Sequence, residues 1–283
     1  MTYLDDRLAV AGKVAVIFGG GGGLGRACAL DLGRAGMRLV LVDRDADLLA
    51  DAVDALTADG VDVVSDVSDA RDPEEQARCF GLADERFGGL DVLVNVVGGT
   101  FPQPFEESIP KGWDALIRTN FTWLLGATQL AIPRMRARGG GSIVNLTSIE
   151  AHRAAPNHAV YSAMKAAVTN LGRSLAVELG PDNIRVNTIA PDFVPTEGLV
   201  GLAPDVDPGL AAATDSIAIP LARRGDYGDI GGCALFLASD LSRYVTGTSL
   251  HPDGGALASS GWANWPAEGW RNSPPASVVE PLR

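Results

Sequence analysis

The sequence predicts an α/β protein with a doubly wound parallel sheet and helices on both faces. Three observations support this prediction. Short runs rich in β-branched residues alternate with longer amphipathic runs along most of the chain. A glycine-rich segment, Gly19–Gly23, lies between the first such pair. The 283 residues, of which 46% are hydrophobic and 20% charged, are typical of a globular chain with one large domain.

The elements follow from the period of the apolar residues. The short β-branched runs are interpreted as buried parallel strands, namely Val14–Phe18, Arg38–Val42, Val61–Val64, Val92–Val96, Ser142–Leu146 and Ile184–Ile189. The amphipathic runs are interpreted as helices, namely Leu24–Gly36, Ala46–Asp59, Pro73–Phe87, Trp113–Arg138 and Ala159–Leu179. Strands that alternate with helices pair in parallel, so six or seven of them form a single domain of about 250 residues.

Two segments break the alternation. Residues 195–224 follow a strand end and are predicted to form a substrate lid. Their apolar side chains indicate an apolar small-molecule substrate, and they are Leu199, Val200, Leu202, Leu210, Ile217 and Ile219. The period ends near Ala256, which predicts a domain of residues 1–255 and a C-terminal extension of residues 256–283. The extension carries Trp262, Trp265 and Trp270, and we expect these indoles to pack over a neighbouring subunit.

Composition excludes several function classes. The net charge of −12 disfavours binding to nucleic acid or to an anionic membrane surface. No apolar run is long enough to cross a bilayer and the first residues are acidic, so we expect a cytoplasmic protein. The cysteines Cys28, Cys79 and Cys233 are far apart and are interpreted as free thiols. The three histidines lack metal-binding spacing, so no metal site is predicted.

The glycine-rich segment indicates a dinucleotide site. Glycines between a strand and a helix let a pyrophosphate approach the positive end of that helix. Asp43 ends the second strand, where a carboxylate can accept hydrogen bonds from ribose hydroxyls and repel a 2′-phosphate. This favours NAD over NADP. Alternatively, Asp43 caps the helix that begins near Ala46, or Arg44 binds a 2′-phosphate.

Tyr161 and Lys165 carry the candidate chemistry. They are four residues apart on a predicted helix and therefore share one face. An ammonium group beside a phenol is expected to lower the pKa of the phenol, which suits acid–base catalysis. Ser148 ends the fifth strand, where it can hydrogen-bond a substrate oxygen, or alternatively cap a turn. Arg153 borders the same region, either as an anion-binding group or as a solvated loop charge.

These motifs resemble the classical short-chain dehydrogenase/reductase family along residues 10–255. The matching residues are Gly19-x-x-x-Gly23-Leu24-Gly25, Asp66-Val67, Asn95-Val96-Val97-Gly98, Asn120, Ser148, Tyr161-x-x-x-Lys165, Pro191-Asp192-Phe193-Val194-Pro195-Thr196 and the closing stretch 238–255. The resemblance implies a Rossmann-type fold with a parallel seven-stranded sheet. It also implies a homodimer or homotetramer.

The resemblance further implies a role for each matching residue. Tyr161 would exchange a proton with the substrate oxygen, Lys165 would lower its pKa, and Ser148 would orient that oxygen. Asn120 would hold a water that links Lys165 to solvent. The cofactor would be held by Gly19, Gly22, Gly23, Leu24, Asp43, Asp66, Val67, Asn95, Gly98, Tyr161, Lys165, Pro191, Val194 and Thr196.

Three residues depart from the family pattern. Phe18 stands where a threonine hydroxyl usually ties the glycine turn to the neighbouring strand. Val97 replaces an alanine beside the cofactor and adds volume there. Asp192 replaces a glycine, and its charge is expected to favour NAD⁺ over NADH.

The function predicted from the sequence is NAD(H)-dependent interconversion of a secondary alcohol and a ketone on an apolar small molecule. Two alternatives remain open. The first is a non-catalytic nucleotide-binding redox regulator, supported by the three departures. The second is an isomerase or dehydratase of the same fold, which would use the same four residues Asn120, Ser148, Tyr161 and Lys165.

Overall fold

A parallel sheet of seven strands forms the centre of the molecule. The computed structural model describes residues 2–196 and 207–280, so Leu199, Val200 and Leu202 of the predicted lid lie outside the described residues. The strand order is β3-β2-β1-β4-β5-β6-β7. The strands are β1 (Val14–Phe18), β2 (Arg38–Asp43), β3 (Val63–Val67), β4 (Val92–Asn95), β5 (Gly141–Leu146), β6 (Ile184–Ile189) and β7 (Ser249–Leu250). The doubly wound architecture is thus confirmed.

Helices cover both faces of this sheet. They are α1 (Tyr3–Leu8), α2 (Gly23–Arg34), α3 (Ala46–Ala58), α4 (Pro73–Phe87), α5 (Pro110–Ile117), α6 (Trp123–Ala137), α7 (Ala159–Leu179), α8 (Pro208–Ala218), α9 (Tyr227–Ala238), α10 (Ala256–Ser259) and α11 (Ala276–Val279). No helix in the described ranges is long and apolar enough to cross a membrane.

The buried strand β1 shows why the chain needs helices on both sides. Successive side chains of a strand point to opposite faces. Val14, Val16 and Phe18 accordingly join the core under α4, α6 and α7. Ala15 and Ile17 join the second core, under α2, α3 and α9. All five residues are buried, which explains the uninterrupted apolar run in the sequence.

Several boundaries differ from the prediction. Strand β3 begins at Val63 because the backbone N–H of Val61 donates to the carbonyl of Leu56 in α3, at 3.0 Å, so that Val61 belongs to the turn after that helix. The single helix predicted over Trp113–Arg138 is two helices, α5 and α6, separated by a π-helical turn at Arg118–Thr122. Strand β7 has two residues, too few to produce a period in the sequence. The three cysteines are free thiols, as predicted.

The C-terminal extension has local structure that its sequence did not reveal. Strands β8 (Ala263–Trp265) and β9 (Gly269–Arg271) form an antiparallel hairpin apart from the main sheet. Strand β8 packs against α8 of the same chain. Trp265 is half buried there, whereas Trp262 and Trp270 remain 49% and 45% exposed. One of the three indoles is therefore largely covered within the chain, and the other two still present apolar surface.

Candidate active site

The glycine turn begins where β1 ends. The backbone N–H groups of Gly19 and Gly20 both donate to the carbonyl of Val42, at 2.7 and 3.0 Å. Gly19 has φ +84°, and a β-carbon on Gly25 would lie 1.8 Å from the Gly19 carbonyl oxygen. Only glycine allows this close approach of helix α2 to the turn. The turn is thus fastened to β2 through its backbone.

Phe18 has a packing role in place of the missing threonine hydroxyl. Its ring lies 5.7 Å from the ring of Phe80 and 5.7 Å from that of Trp123, tilted by 58° in both cases. Tilted aromatic pairs at this separation are favourable. The glycine turn lacks the threonine hydroxyl contact. The aromatic contacts of Phe18 fix the end of β1, and the two backbone hydrogen bonds to the carbonyl of Val42 hold the turn.

Asp43 lies at the edge of the glycine turn. One carboxylate oxygen accepts a hydrogen bond from the N–H of Gly21 at 3.0 Å, and the other accepts from the N–H of Asp45 at 3.1 Å. Helix α3 is capped instead by Asp45, whose side chain accepts from Asp47 and Leu48. The capping alternative for Asp43 is therefore wrong. Each carboxylate oxygen has the capacity for a further hydrogen bond.

A cleft of about 460 Å³ runs along the carboxyl ends of the strands. It is lined by nine of the residues expected to hold the cofactor, namely Gly19, Gly22, Gly23, Leu24, Asp43, Gly98, Tyr161, Lys165 and Thr196. Thr196 lies against the glycine turn, because its methyl carbon would be 3.2 Å from a β-carbon on Gly23. Arg44 lines the same cleft and is exposed. Parallel strands bring these distant segments together at one edge.

Asp66 and Val67 lie next to this cleft and are not among the residues that line it. The Asp66 carboxylate forms a two-bond ion pair with Arg78, at 2.8 and 3.0 Å, and also accepts from the hydroxyl of Ser68. Val67 is exposed on the edge strand. The cleft wall at this point is formed by Ser68, Asp69, Ala70 and Arg71. Sequence reasoning missed these four residues, although their place directly after a strand end was a usable signal.

Asn95, Pro191 and Val194 lie around the cleft rather than in it. The buried Asn95 amide donates to the Asn145 side chain at 2.8 Å and so joins β4 to β5. Pro191 and Val194 line a second, adjoining cavity. Val97 lines the cleft itself, facing Gly19.

Ser148, Tyr161 and Lys165 meet between the two cavities. Ser148 follows β5, and Tyr161 and Lys165 lie on the first turns of α7. The Lys165 ammonium nitrogen donates to the carbonyl of Leu146 at 3.0 Å and lies 5.6 Å from the centroid of the Tyr161 ring. Ser148 and Tyr161 line the same adjoining cavity. The spacing in the sequence thus places the three groups together as predicted.

The protonation of this group differs from the expectation. Burial raises the pKa of the Tyr161 phenol, the hydrogen bond with Ser148 opposes that effect, and the charge of Glu150 adds to it. Burial also lowers the pKa of Lys165 to about 8. The structure therefore does not show the predicted lowering of the Tyr161 pKa, because burial disfavours the charged phenolate.

Asn120 is positioned by the π-helical turn between α5 and α6. Its side-chain oxygen accepts from the N–H of Gly99 at 3.1 Å, and its nitrogen donates to the carbonyls of Gly99 and Leu116. A β-carbon on Gly98 would lie 3.0 Å from both Asn120 Oδ1 and Lys165 Nζ. Such π-helical insertions often mark functional sites. Here the insertion turns a buried amide toward Lys165.

The second cavity, of about 370 Å³, opens beside Ser148 and Tyr161. It is lined by Leu24, Thr100, Pro102, Thr147, Ser148, Glu150, His158, Tyr161, Pro191, Asp192, Phe193 and Val194. Arg153 donates to Glu150 at 3.0 Å and to Asp192 at 3.3 Å. Arg153 is exposed on the loop before α7, as the solvated-charge alternative requires, and it is ion-paired rather than free to bind an anion. The same pair reduces the charge that Asp192 presents to a nucleotide.

With this geometry in view, the chain belongs to the short-chain dehydrogenase/reductase family and is an oxidoreductase. A family model described as enoyl-(acyl carrier protein) reductase matches residues 20–256. The 2,5-dichloro-2,5-cyclohexadiene-1,4-diol dehydrogenase of Sphingobium indicum is 36% identical over 246 residues, covering 87% of this chain and 96% of the relative.

Solved structures of similar proteins agree with this assignment. A putative short-chain dehydrogenase/reductase from Burkholderia xenovorans is 32% identical, with a TM-score of 0.83 and coverage of 89% of this chain and 98% of the other. A 7α-hydroxysteroid dehydrogenase in complex with NADH and 7-oxo glycochenodeoxycholic acid is also 32% identical. Its TM-score is 0.83, and the match covers 90% of this chain and 98% of that one.

Proposed function

We propose that this oxidoreductase transfers hydride between NAD(H) and a small molecule, interconverting a secondary alcohol and a ketone. The observation that carries the proposal is the position of Tyr161. Its side chain lines both the cleft along the strand ends and the adjoining cavity, with Ser148 and Lys165 beside it. A group at this junction can exchange a proton with a substrate that meets a cofactor there.

The cleft fits a nicotinamide dinucleotide. The glycine turn presents backbone at the N-terminus of α2 without side chains, which suits a pyrophosphate. Gly98 leaves space against Asn120 and Lys165 that any side chain would fill. Leu24 and Tyr161 line both cavities, where the reactive end of the dinucleotide would lie. When bound, the nicotinamide would accept or donate the hydride.

Side chains of the protein exchange the proton with the substrate oxygen. In alcohol oxidation the hydroxyl proton of the substrate passes to the oxygen of Tyr161, and in ketone reduction it returns. The Ser148 hydroxyl donates to the substrate oxygen and holds it near the phenol. Lys165, fixed by Leu146, supplies positive charge, and Asn120 keeps the Gly98–Gly99 backbone in place. The raised pKa of Tyr161 favours the protonated phenol, which is the form that donates during reduction.

Asp43 supports a preference for NAD over NADP. Its carboxylate is fixed by two backbone N–H groups at the edge of the turn, where the adenosine ribose would lie. A 2′-phosphate would meet this negative charge. Arg71, the other arginine at this end of the cleft besides Arg44, is already paired with Asp69 through three side-chain hydrogen bonds.

The regulator alternative has lost part of its support. Phe18 packs in an aromatic cluster and Asp192 is ion-paired, so two of the three departures have structural roles compatible with turnover. The remaining departure, Val97, lies on the cleft wall.

The experiment is replacement of Tyr161 with phenylalanine. The Tyr161→Phe variant should still bind NADH, measured by tryptophan fluorescence, because the glycine turn and Asp43 are intact. Its turnover of secondary alcohols, measured by nicotinamide absorbance, should fall by about 10²–10⁴-fold because the acid–base group is gone. Tyr244→Phe, a fully exposed position at the opposite edge of the sheet, is the matched control. Equal turnover in both variants would refute the proposal.

A further inference from the structure

We infer that the cavity beside Tyr161 selects a cationic substrate, an alcohol or ketone that carries an ammonium group away from the reacting carbon. The inference rests on the proposed function, because it concerns the same cavity. It names the class of substrate as small amino alcohols and amino ketones. It assigns the discrimination to Asp192, which contacts the ammonium group, and to Glu150, which adds negative charge.

The cavity is suited to hold a substrate on grounds that are independent of its charge. Ser148 and Tyr161 line it, and Ser148 is only 9% exposed. A polar side chain that is so deeply buried beside an open cavity can fix the oxygen of a small molecule. The charge of the remaining wall therefore acts on a molecule that enters to react.

The wall of this cavity carries two carboxylates, those of Glu150 and Asp192. No lysine or arginine is found among the described residues that line it. Glu150 follows Ser148 by two residues, after β5, and Asp192 follows the neighbouring strand β6. The two carboxylates therefore lie at adjacent strand ends and give this wall its negative charge.

A single guanidinium group balances these two carboxylates in part. One nitrogen of Arg153 donates to Glu150 Oε1 at 3.0 Å and to Asp192 Oδ1 at 3.3 Å. This bridge fixes both carboxylates and favours their ionised forms. It offsets one of the two negative charges, so the other remains in excess.

Asp253 adds a further negative charge near Asp192. Burial raises the pKa of Asp192, and Arg153 opposes this effect. The charges of Glu150 and Asp253 raise the same pKa further. The Asp253 carboxylate accepts from two backbone N–H groups, both at 2.9 Å, and from no cation in the described part of the chain. Three carboxylates thus share one guanidinium group, and the surroundings of the cavity favour a cation.

A second arginine near the cavity does not cancel this excess. The Arg224 guanidinium carbon lies 4.7 Å from the centroid of the Phe193 ring, which lines the cavity. Arg224 also donates to both carboxylate oxygens of Asp215, at 2.8 and 3.1 Å. The charges of Arg224 and Asp215 therefore offset each other.

Asp192 can contact a ligand directly. Arg153 donates only to its Oδ1, and the Asp192 side chain is 23% exposed. Glu150 acts through its charge instead, because Arg153 donates to its Oε1 and its Oε2 is buried. An ammonium group brings three N–H donors and a full positive charge. It therefore satisfies both the acceptor and the excess charge, whereas a carboxylate or phosphate is repelled.

The position of Lys165 sets the orientation of such a substrate. Lys165 lines the cofactor cleft and does not line this cavity, whereas Asp192 lines the cavity and not the cleft. Repulsion by Lys165 and attraction by Asp192 both turn an ammonium group away from the cleft. The hydroxyl-bearing carbon then lies toward Tyr161, where the reaction occurs.

The remaining wall sets the skeleton of the substrate. Its apolar surface comes from Leu24, Pro102, Pro191, Phe193 and Val194. A short hydrocarbon body fits this surface, and the desolvated ammonium group needs the carboxylate as its partner. The ammonium group is unchanged by the reaction. The hydride leaves the carbon that bears the hydroxyl group, and the hydroxyl proton passes to Tyr161.

The test compares secondary alcohols of matched length in the full-length protein with NAD⁺ at pH 8. One set is 4-amino-2-butanol, 2-pentanol and 3-hydroxybutanoate, and the longer set is 5-amino-2-pentanol, 2-hexanol and 4-hydroxypentanoate. An alkylammonium group stays charged at this pH, because its pKa is about 10. In the unmodified protein, kcat/KM for the better amino alcohol should exceed that for its alkanol by about tenfold or more. The hydroxy acid should be the poorest substrate of each set.

Two substitutions should change this advantage in opposite directions. Asp192→Asn removes the charge that contacts the ammonium group, so the advantage should fall to about threefold or less. Arg153→Gln removes the counter-charge, so the advantage should rise by about twofold or more. Both effects should appear mainly in KM, and added salt should reduce the advantage in the unmodified protein. A merely structural role of these residues would lower activity in both variants without this reversal.

The controls separate the inference from the proposed function. Glu178→Gln, at an exposed position of α7, should retain the preference for the amino alcohol. Glu150→Gln should lower the preference and covers the case in which Asp192→Asn fails to fold. Equal use of the amino alcohol and the alkanol, or a preference for the hydroxy acid, overturns the inference and leaves the dehydrogenase proposal standing.

The nucleotide is the other cation that Asp192 could serve. The Kd values of NAD⁺ and NADH are therefore measured in the same variants. If Asp192→Asn changes only the ratio of these two values and leaves the substrate preference intact, the inference is overturned.

A protein that oxidises none of these alcohols is tested by binding. Competition of the same compounds is then followed through the fluorescence of bound NADH. Tighter binding of the amino alcohol than of the alkanol, lost in Asp192→Asn, supports the inference even though the proposed oxidation fails. Equal binding, or no binding of either compound, overturns it.

Discussion

Gly25 shows how one atom decides the geometry of the nucleotide cleft. A β-carbon there would lie 1.8 Å from the Gly19 carbonyl oxygen, a distance that real atoms do not reach. The turn and the first helix would have to separate, and the backbone that faces the cleft would move with them. The glycine is required by close approach rather than by flexibility.

We expect Gly25→Ala to lower the free energy of unfolding by about 1–3 kcal/mol, because overpacking forces backbone shifts. NADH binding should weaken as well. The matched control is Gly232→Ala on α9, where a β-carbon meets nothing within 4 Å. That control should gain about 0.5–1 kcal/mol, the usual advantage of alanine in a helix. Urea unfolding measures both, and a loss in the control equal to that in Gly25→Ala would contradict the argument.

The burial of Lys165 predicts a dependence of stability on pH. Its pKa falls from the usual 10.5 to about 8 in the folded protein, so between these values the unfolded chain binds the additional proton. Stability contributed by this group therefore rises with pH across that window, by at most about 1.4 kcal/mol per pH unit. Urea unfolding at pH 8 and 9.5 should show this rise relative to Lys165→Met. Parallel curves for the two proteins would disprove it.

At this scale the sequence predicted some residues well and others poorly. The spacing of Tyr161 and Lys165 fixes their common face, so their meeting with Ser148 followed from helical geometry. The ion pair of Asp66 was not foreseen, because its partner Arg78 lies on the next helix. The direction of the Tyr161 pKa failed as well, since desolvation depends on tertiary burial. Neither the Asp66–Arg78 ion pair nor the burial of Tyr161 can be predicted from a local sequence pattern.

At the scale of elements, the π-helical turn at Arg118–Thr122 and the hairpin β8–β9 were the two surprises. A π-helical turn adds one residue to a helical turn and leaves the spacing of apolar residues almost unchanged. The sequence therefore predicted one helix across Arg118–Thr122. Strands of three residues are too short for an alternation to be recognised. The long helices α4 and α7, by contrast, were predicted with their observed ends.

The hairpin yields a prediction for the extension. Removal of residues 258–283 should change the number of subunits in the native assembly, or raise KM by about tenfold. A tenfold rise corresponds to ~1.4 kcal/mol of binding free energy. The reason is that β8 packs against α8, which belongs to the predicted lid. The mass of the native assembly and steady-state kinetics check this prediction. An unchanged number of subunits together with unchanged kinetics would reject it.

Two point variants separate the possible causes. Trp265→Ala should reproduce the effect of truncation if docking to α8 within the chain is responsible, since Trp265 is half buried in that part of the structure. Trp270→Ala should reproduce it if a neighbouring subunit is responsible, because Trp270 is 45% exposed within the chain. A homodimer or homotetramer with the extension at its interface remains our proposal.

At the scale of the whole molecule, the parallel sheet places both cavities at one edge. Every strand of the sheet runs in the same direction, so the loops that follow β1, β2, β4, β5 and β6 converge there. This part of the architecture followed directly from the alternation of strands and helices. The glycine turn, Asp43 and the face of α7 that carries Tyr161 and Lys165 thereby line one site.

Cofactor binding should therefore stabilise the entire fold. At about 100 times its Kd, NADH should add ~2.7 kcal/mol of stability, since it binds only the folded chain. For a protein of this size the melting temperature should rise by about 5–10 °C. NADPH at the same concentration should give a smaller shift because of Asp43, and Asp43→Asn should narrow the gap. Equal shifts with both nucleotides would contradict the preference for NAD.

The two outer strands of the sheet bear on how the protein behaves when concentrated. An uncovered strand offers unpaired N–H and C=O groups on which another chain can add, which starts aggregation. Strand β7 has only two residues and is too short a template. The longer outer strand, β3, carries the Asp66–Arg78 ion pair. In the part of the chain that the structure describes, this ion pair thus places charge on the outer border of β3, where we expect it to oppose edge-to-edge association.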